Sequence, residues 1–355
     1  MNYFKIIGII IIGIFLFGFQ ESGVTKPINR PPLVLLYDVL PDLNAITRVQ
    51  SISAKQFFIL YQGCDPQSFK SGVIDIPAVL MAIQKQTGGQ LPEWCMLDFE
   101  DPFNADLQKN PTAPECKRAL NSMIETIKAV KKIYPNTKWS YYGVPWLPYW
   151  MQGKGWASAN NETKKTTLDQ AVQVYTSLVN ELDWISPTIY PKYDSMLFPS
   201  DQSKTVVEEG RSWRMAQVGL AKFLSSGKPI IPTICPYWTP GGKAPFCQVV
   251  PSKSVIDDQV APAISMGASG IAVWTSINYF IQQAINGPTK GSPGETDFGS
   301  NEWRKAFTTD YFNNKPPTDW SDPQVKQDLI QKVSKTITDT LFNIRSWERF
   351  QSISN

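Results

Sequence analysis

Apolar residues along the chain switch repeatedly between two periods. Short apolar runs rich in Leu, Ile, Val, Phe, Tyr and Trp lie at 33–37, 57–61, 94–99, 138–144, 185–190, 230–235 and 270–274. Each has the length and composition of a β-strand. Between them, apolar positions recur at helical spacing, as in Leu120, Ile124, Ile127, Val130 and Tyr134, and again in Leu168, Val172, Tyr175, Val179 and Leu182. The stretches 206–224 and 255–266 are less regular, but each lies where a crossover helix belongs. Strand then helix, repeated six or seven times, predicts an α/β protein built as a parallel (β/α) TIM-type barrel rather than an open sheet. No Gly-rich phosphate loop follows the first strand, which weighs against a nucleotide-binding sheet. After Trp274 the alternation stops. A loop rich in Gly, Pro and Thr runs over 286–299, and a final helix is predicted after Asp322-Pro323, with Val325, Leu329, Val333, Ile337, Leu341 and Ile344 on one face. The expected organisation is thus a barrel over 30–285 and an extension over 286–355, a loop and a C-terminal helix packed back on the barrel.

The N-terminus reads differently. Lys5 precedes an uninterrupted apolar run over 6–19, too short to span a bilayer comfortably and the right length for the core of an export signal. Residues 1–20 are therefore expected to be a signal peptide or, since no A-x-A cleavage site follows, a signal anchor. The expected location is secreted or lumenal: extracellular, lysosome-like or vacuolar. Membrane contact is expected only if this segment stays uncleaved. Export permits disulfides. Of the five cysteines, Cys95 lies inside an apolar strand pattern and is expected to be the unpaired one, while Cys235 and Cys247, across a loop rich in Pro and Gly, form the expected bridge. The sequon Asn161-Glu162-Thr163 sits in a polar segment and is a candidate glycosylation site.

Composition narrows the chemistry. With 42% apolar residues and 12% aromatics in 355 residues, the chain can bury a large core. A net charge of +3 on 34 basic and 31 acidic residues argues against nucleic acid as a partner. Histidine is absent, so catalytic triads built on His, His-ligated zinc and His general bases are all excluded. No metal-ligand spacing appears, and no cofactor is expected. Proton transfer falls to carboxylates, Tyr, Lys or Cys.

In a barrel of this kind the active site lies at the C-terminal ends of the strands. The third strand ends Met96-Leu97-Asp98-Phe99-Glu100-Asp101-Pro102, an apolar run that stops on carboxylates. Strand side chains alternate, so Asp98 and Glu100 are expected to project together toward the barrel mouth, with Phe99 turned away. Two like charges that close cannot both ionise freely, and one carboxyl should hold its proton toward neutral pH, as a general acid requires. Taken alone, a D-x-E that caps the next helix is the simpler account. Three other strand ends change the balance: Tyr141-Tyr142-Gly143-Val144-Pro145-Trp146, Thr188-Ile189-Tyr190-Pro191 and Ala272-Val273-Trp274 each present an aromatic where a sugar ring would stack. Tyr142, Tyr190 and Trp274, with Asp101 and Trp146 beside them in sequence, are the candidate substrate contacts.

The order D-x-E, Y-G-x-P, I-Y-P and G-A-S-G-I-x-x-W, carried here by 97–100, 142–145, 189–191 and 267–274, resembles the animal and venom hyaluronidases of glycoside hydrolase family 56. The resemblance runs from about residue 33 to 276, and Gly267-Ala268-Ser269-Gly270-Ile271 with Trp274 is its most specific piece. It implies a seven-stranded variant of the barrel. It implies a retaining endo-glycosidase that cleaves N-acetylhexosaminide linkages in hyaluronan, chondroitin or a related polysaccharide; the protein itself is expected to be a monomer. In that scheme Glu100 is the general acid and base, Asp98 orients the acetamido group, Tyr142 and Tyr190 hold the acetamido and the distorted sugar, and Trp274 forms the floor. The substrate's own N-acetyl oxygen takes the place of an enzyme nucleophile. Phe99 stands where the family usually has Trp, and the family's Cys after Y-G-x-P is absent, which marks a distant member or a sister family with altered substrate. A chitinase of the family 18 type uses a similar strand-terminal D-x-E, but its further Asp residues are missing before Leu97. A carbohydrate-binding barrel without catalysis is the alternative from another class.

Overall fold

A computed structural model of the chain describes residues 31–147, 150–151, 154–156, 159–190, 204–237, 249–274, 281, 285 and 300–354. The expected signal segment 1–20, the loop 286–299 and Cys247 lie outside the described residues. Strands β1 (Val34–Tyr37), β2 (Lys55–Tyr61), β3 (Trp94–Asp98), β4 (Lys138–Tyr141), β7 (Thr233–Ile234) and β8 (Gly270–Val273) form one parallel sheet in the order β4-β3-β2-β1-β8-β7. The sheet is a curled, TIM-like half-barrel of six strands with helices on its outside. A short antiparallel pair, β5 (Trp150–Met151) and β6 (Lys154–Gly155), follows β4 and was not predicted.

The region expected as a strand at 185–190 is not a continuous one, and the strand expected at 230–235 is trimmed to two residues. Prolines explain both. Pro187, Pro229, Pro232 and Pro236 have no N–H to give, so the ladder is interrupted wherever one falls. Their carbonyls still accept: Ile185 N–H bonds to the Pro229 carbonyl at 2.9 Å and Thr233 N–H to the Pro187 carbonyl at 3.0 Å. What results is isolated parallel bridges, Tyr142 with Ser186 on one side, and Ile185 with Ile230 and Thr188 with Thr233 on the other.

Helices α1 (Leu43–Gln50), α2 (Ile76–Thr87), α3 (Pro114–Ile133), α4 (Asn161–Glu181) and α5 (Lys204–Leu224) follow the strands. Their ends carry ordinary stop and start chemistry. The Asp42, Asp75 and Asn160 side chains accept from the first-turn N–H groups of α1, α2 and α4, and Gly88 closes α2 in the left-handed conformation. Asn161 is exposed on the first turn of α4. A π-helical turn, Val255–Val260, leads into α6 (Ala261–Ser265); α7 spans Ser300–Tyr311 and α8 Pro323–Ser354.

Alternation along the strands sorts side chains into two cores. Leu36, Phe57, Ile59, Trp94, Met96, Trp184, Ile231 and Ala272 fill the inside of the sheet's curl. Their neighbours Leu35, Tyr37, Leu60, Cys95, Leu97, Trp139, Tyr141, Ile271 and Val273 face the helices in the larger outer core. In α8, Leu329, Val333, Ile337, Leu341 and Ile344 are buried as one stripe. The helix is pinned near its end by Arg345, which is 7% exposed and donates to the carbonyls of Ile52 and Leu33, and by Glu348, which accepts from the Leu33 N–H at 2.6 Å. Cys64, Cys95, Cys116 and Cys235 are free thiols, with Cys235 buried, so the end of the expected bridge that is described carries no disulfide.

Candidate active site

The inward-facing series of each strand ends on a polar or aromatic residue at the same rim. In β3, Trp94 and Met96 point into the inner core and Asp98 is the next inward position; in β1, Leu36 is followed two residues later by Asp38. β2 ends on Tyr61, the chain after β4 brings Tyr142, and β8 is followed by Trp274. Phe99, between the two acids, is fully buried and packs edge-on against Phe103 at 6.0 Å between centroids. Asp98 and Glu100 are thereby set apart from the outer core. Glu100 lies past the end of β3 and is exposed, whereas Asp98 is partly buried.

Gln62, just past β2, holds the turn that carries Glu100. Its side-chain carbonyl accepts from the Glu100 N–H at 3.0 Å, and its amide donates to the Asp101 carbonyl at 2.7 Å and to Ser68 Oγ at 3.0 Å. Gln62 is 5% exposed, so these bonds are made away from water and define the turn.

The aromatic residues form a cup. The Tyr190 ring stacks on Trp274 at 5.5 Å and 19°, and Tyr142 leans on Tyr190 at 5.8 Å and 43°. The Tyr142 hydroxyl shares a hydrogen bond with Thr188 Oγ1 at 3.2 Å. The Trp274 indole N–H donates to the Tyr61 hydroxyl at 3.0 Å, and the Tyr61 hydroxyl donates to Asp38 Oδ2 at 3.4 Å.

Three carboxyls lie within electrostatic reach at this rim. Burial, reinforced by the charges of Glu100 and Asp38, pushes the Asp98 carboxyl well above the usual carboxylate range. Its Oδ1 is shielded from water and accepts no hydrogen bond. Burial likewise lifts Asp38 to about 7, against the opposing pull of the Tyr61 hydroxyl and the Val39 N–H. Burial, and then the charges of Glu100 and Asp98, raise the Tyr142 hydroxyl, so it is a neutral donor at any working pH. The site can therefore hold a proton on a carboxyl near neutrality, offer buried oxygen to a ligand N–H, and present aromatic faces to a ring.

The structure places Asp98, Glu100, Tyr142, Tyr190 and Trp274 at one rim of the sheet. Asp101 is exposed at the rim, where its carbonyl serves the Gln62 clamp. Trp146 is placed otherwise: it is 6% exposed in the outer core and lies against Gly143, where a Cβ would sit 2.0 Å from the indole nitrogen. Gly143, at φ +76°, is thus required by conformation and by the ring above it. Trp146 packs over this turn. Asp38, Tyr61 and Gln62 were not singled out from the sequence. Asp38 had a signal, since Leu35-Leu36-Tyr37-Asp38 is an apolar strand stopping on an acid, as β3 is. Of the groups with metal-ligating side chains, none cluster as a metal site among the described residues.

No protein-family model matches the chain, and no curated protein matches it. Among solved structures it is similar to bee venom hyaluronidase, with TM-score 0.49 and 15% identity over 84% of this chain and 99% of that one. Bee venom hyaluronidase in complex with a hyaluronic acid tetramer gives TM-score 0.46 and 16% identity over 69% of this chain and 91% of that one. A family 18 chitinase from Pseudoalteromonas aurantia gives TM-score 0.34 and 14% identity over 68% and 69%.

Proposed function

We propose that the protein is a retaining endo-glycosidase that cleaves N-acetylhexosaminide linkages in a polysaccharide by substrate-assisted catalysis. The observation that carries this reading is the pairing of a shielded carboxyl, Asp98, with an exposed one, Glu100, at the rim that also carries the stacked rings of Tyr190 and Trp274. The pair binds its last proton tightly, because ionising both acids places two charges in a poorly solvated site. Glu100, at the open side, gives that proton to the glycosidic oxygen as the C1–O bond breaks. Asp98 accepts a hydrogen bond from the acetamido N–H and turns the acetamido oxygen onto C1, giving an oxazolinium ring. Glu100, now a carboxylate, takes a proton from water; the water oxygen bonds to C1 from the face the leaving group left, and the acetamido is restored. Two displacements at C1 give net retention.

Tyr142 and Tyr190 fit as donors to the acetamido and the distorted ring, and Trp274 as the floor on which the sugar stacks. In this reading the segment 185–190 is the seventh strand of the barrel, supported by its parallel bridges on both sides. The apolar run at 6–19 supports export to a secreted or lumenal compartment. Asn161, exposed on α4, is accessible for glycosylation there. The test is to incubate the purified protein with hyaluronan, chondroitin and chitin oligosaccharides and to measure new reducing ends and the anomer first formed. Retention, lost in Glu100→Gln, is expected; an inverted anomer, or turnover that survives Glu100→Gln, overturns the mechanism. Binding without turnover in the wild type points instead to a carbohydrate-binding barrel.

A further inference from the structure

Asp38 is a carboxylate the reaction above leaves idle. It follows the last residue of β1, is 7% exposed, and continues the inward series of Val34 and Leu36. Two donors hold it: the Tyr61 hydroxyl and the Val39 main-chain N–H. Tyr61 in turn accepts from the Trp274 indole, so the residue under the sugar cup and the carboxylate are joined through one hydroxyl. Among the described residues, Tyr61 of β2 donates to Asp38 and lies in register beside Asp98 of β3, which places the two carboxyls on either side of one tyrosine; Glu100, past the end of β3, and Asp38 both act on Asp98, and Tyr142 and Tyr190 lie beyond it.

We infer that Asp38 is a positioning residue for the acid pair: a third carboxyl, oriented by Tyr61 and Val39, whose negative charge keeps the working proton on Asp98 and Glu100 as the solution becomes alkaline. The inference rests on the reading of function just given, but its physical core, the coupling between Asp38 and Asp98, is independent of turnover. The direction follows from like charges. Each acid of the pair loses its proton less readily beside an ionised Asp38 than beside a neutral group. Burial makes that effect larger than it would be in water, since solvent screens poorly at a buried carboxyl. Asp38 passes from neutral to charged at about 7, so its support arrives where the pair would otherwise begin to lose its proton. Acidic activity needs no such help.

Asp38→Asn tests this with little change of shape, since the amide oxygen still accepts from Tyr61. In pH profiles of kcat/KM on a chitin oligosaccharide and on hyaluronan, the alkaline limb of Asp38→Asn is expected to move to lower pH by on the order of one unit. The acidic limb and KM at low pH are expected to stay near the wild type. Asp38→Glu, which keeps the charge, should restore the limb. A limb that does not move, with kcat lowered equally at every pH, overturns the inference, because a merely structural Asp38 predicts that pattern. The second readout is the carboxyl carbon of Asp98 in protein labelled with ¹³C-aspartate, identified by its loss in Asp98→Asn. Its titration midpoint should fall in Asp38→Asn, and an unmoved midpoint also overturns the inference. If the wild type turns over no glycan, the functional reading fails while the coupling is still decided by this midpoint.

Discussion

Acids at the two ends of the parallel sheet are treated in opposite ways. At the N-terminal end of the strands, Glu93 sits between Lys138 at 2.6 Å and Lys55 at 2.7 Å, and those two hydrogen-bonded cations draw its carboxyl down to about 2. Lys131 pairs with Asp183 at 2.7 Å at the same end, while Asp183 also accepts from the Trp139 N–H. At the C-terminal end, Asp38 and the Asp98 carboxyl are shielded from water and pushed up instead. At one end the acids sit beside cations, and at the other Asp38 and Asp98 are taken out of water with no cation acting on either among the described residues. A structure built only for stability would not do the second, because an unpaired buried acid weakens folding. Such departures mark places where function is supported at the expense of stability.

The contrast can be broken or sharpened by mutation. The largest effect is expected at the open acid: on the proposed mechanism Glu100→Gln should lower kcat by about a thousandfold. Steady-state kinetics check it. Next comes Asp38→Asn, read as stability. An acid whose folded pKa lies above its unfolded value stabilises the protein below the unfolded pKa and loses that contribution as pH rises through the folded one. For Asp38 the window runs from the usual 3.8 to about 7. Over it the wild type should lose up to about 4 kcal/mol relative to Asp38→Asn, at 1.36 kcal/mol per unit. Urea titrations at several pH values measure the difference; parallel curves would show that Asp38 is not held protonated.

A third effect belongs to the opposite end. Arg345→Ala leaves Glu348 without its cation and the carbonyls of Leu33 and Ile52 without their donor, and should cost about 3 kcal/mol while leaving the pH profile of activity unchanged. A melting curve together with a pH profile tests it. Glu93→Gln is expected to be the smallest. The folded carboxyl is depressed, so its contribution is present above the usual 4.5 and lost as pH falls toward 2. With side chains 39–56% exposed, water screens the pairs, and the variant should lose no more than about 1 kcal/mol at pH 7 and nothing at pH 2. The stability slopes of Asp38→Asn and Glu93→Gln should thus differ from the wild type in different pH ranges.

Much of the site was legible because strand ends carry their chemistry locally. Asp98 and Glu100 follow an apolar run, and Tyr142, Tyr190 and Trp274 each close another, so each residue could be read without knowing its neighbours. Tyr61 and Gln62 could not. Tyr61 matters because its hydroxyl lies between Trp274 and Asp38, 213 residues and 23 residues away, and Gln62 because its amide reaches the turn at 100–101. The packing of Trp146 over Gly143 was hidden for the complementary reason: a ring's neighbours across a turn are set by the backbone conformation, not by its place in the motif. The prolines at 187, 229 and 232 were visible, yet their effect on the ladder depends on which N–H groups face a partner strand.

The sequence alone determined the alternation of strands and helices, the two-residue spacing of the acids and the absence of histidine, because period, residue type and spacing are properties of the chain. The tertiary structure decided which acid is shielded, that a third lies beside it, and that the hydroxyl of Tyr61 joins the cup to Asp38. Those depend on how far the curled sheet removes each carboxyl from water and on which side chains from distant strands reach it, and neither quantity exists until the strands are side by side.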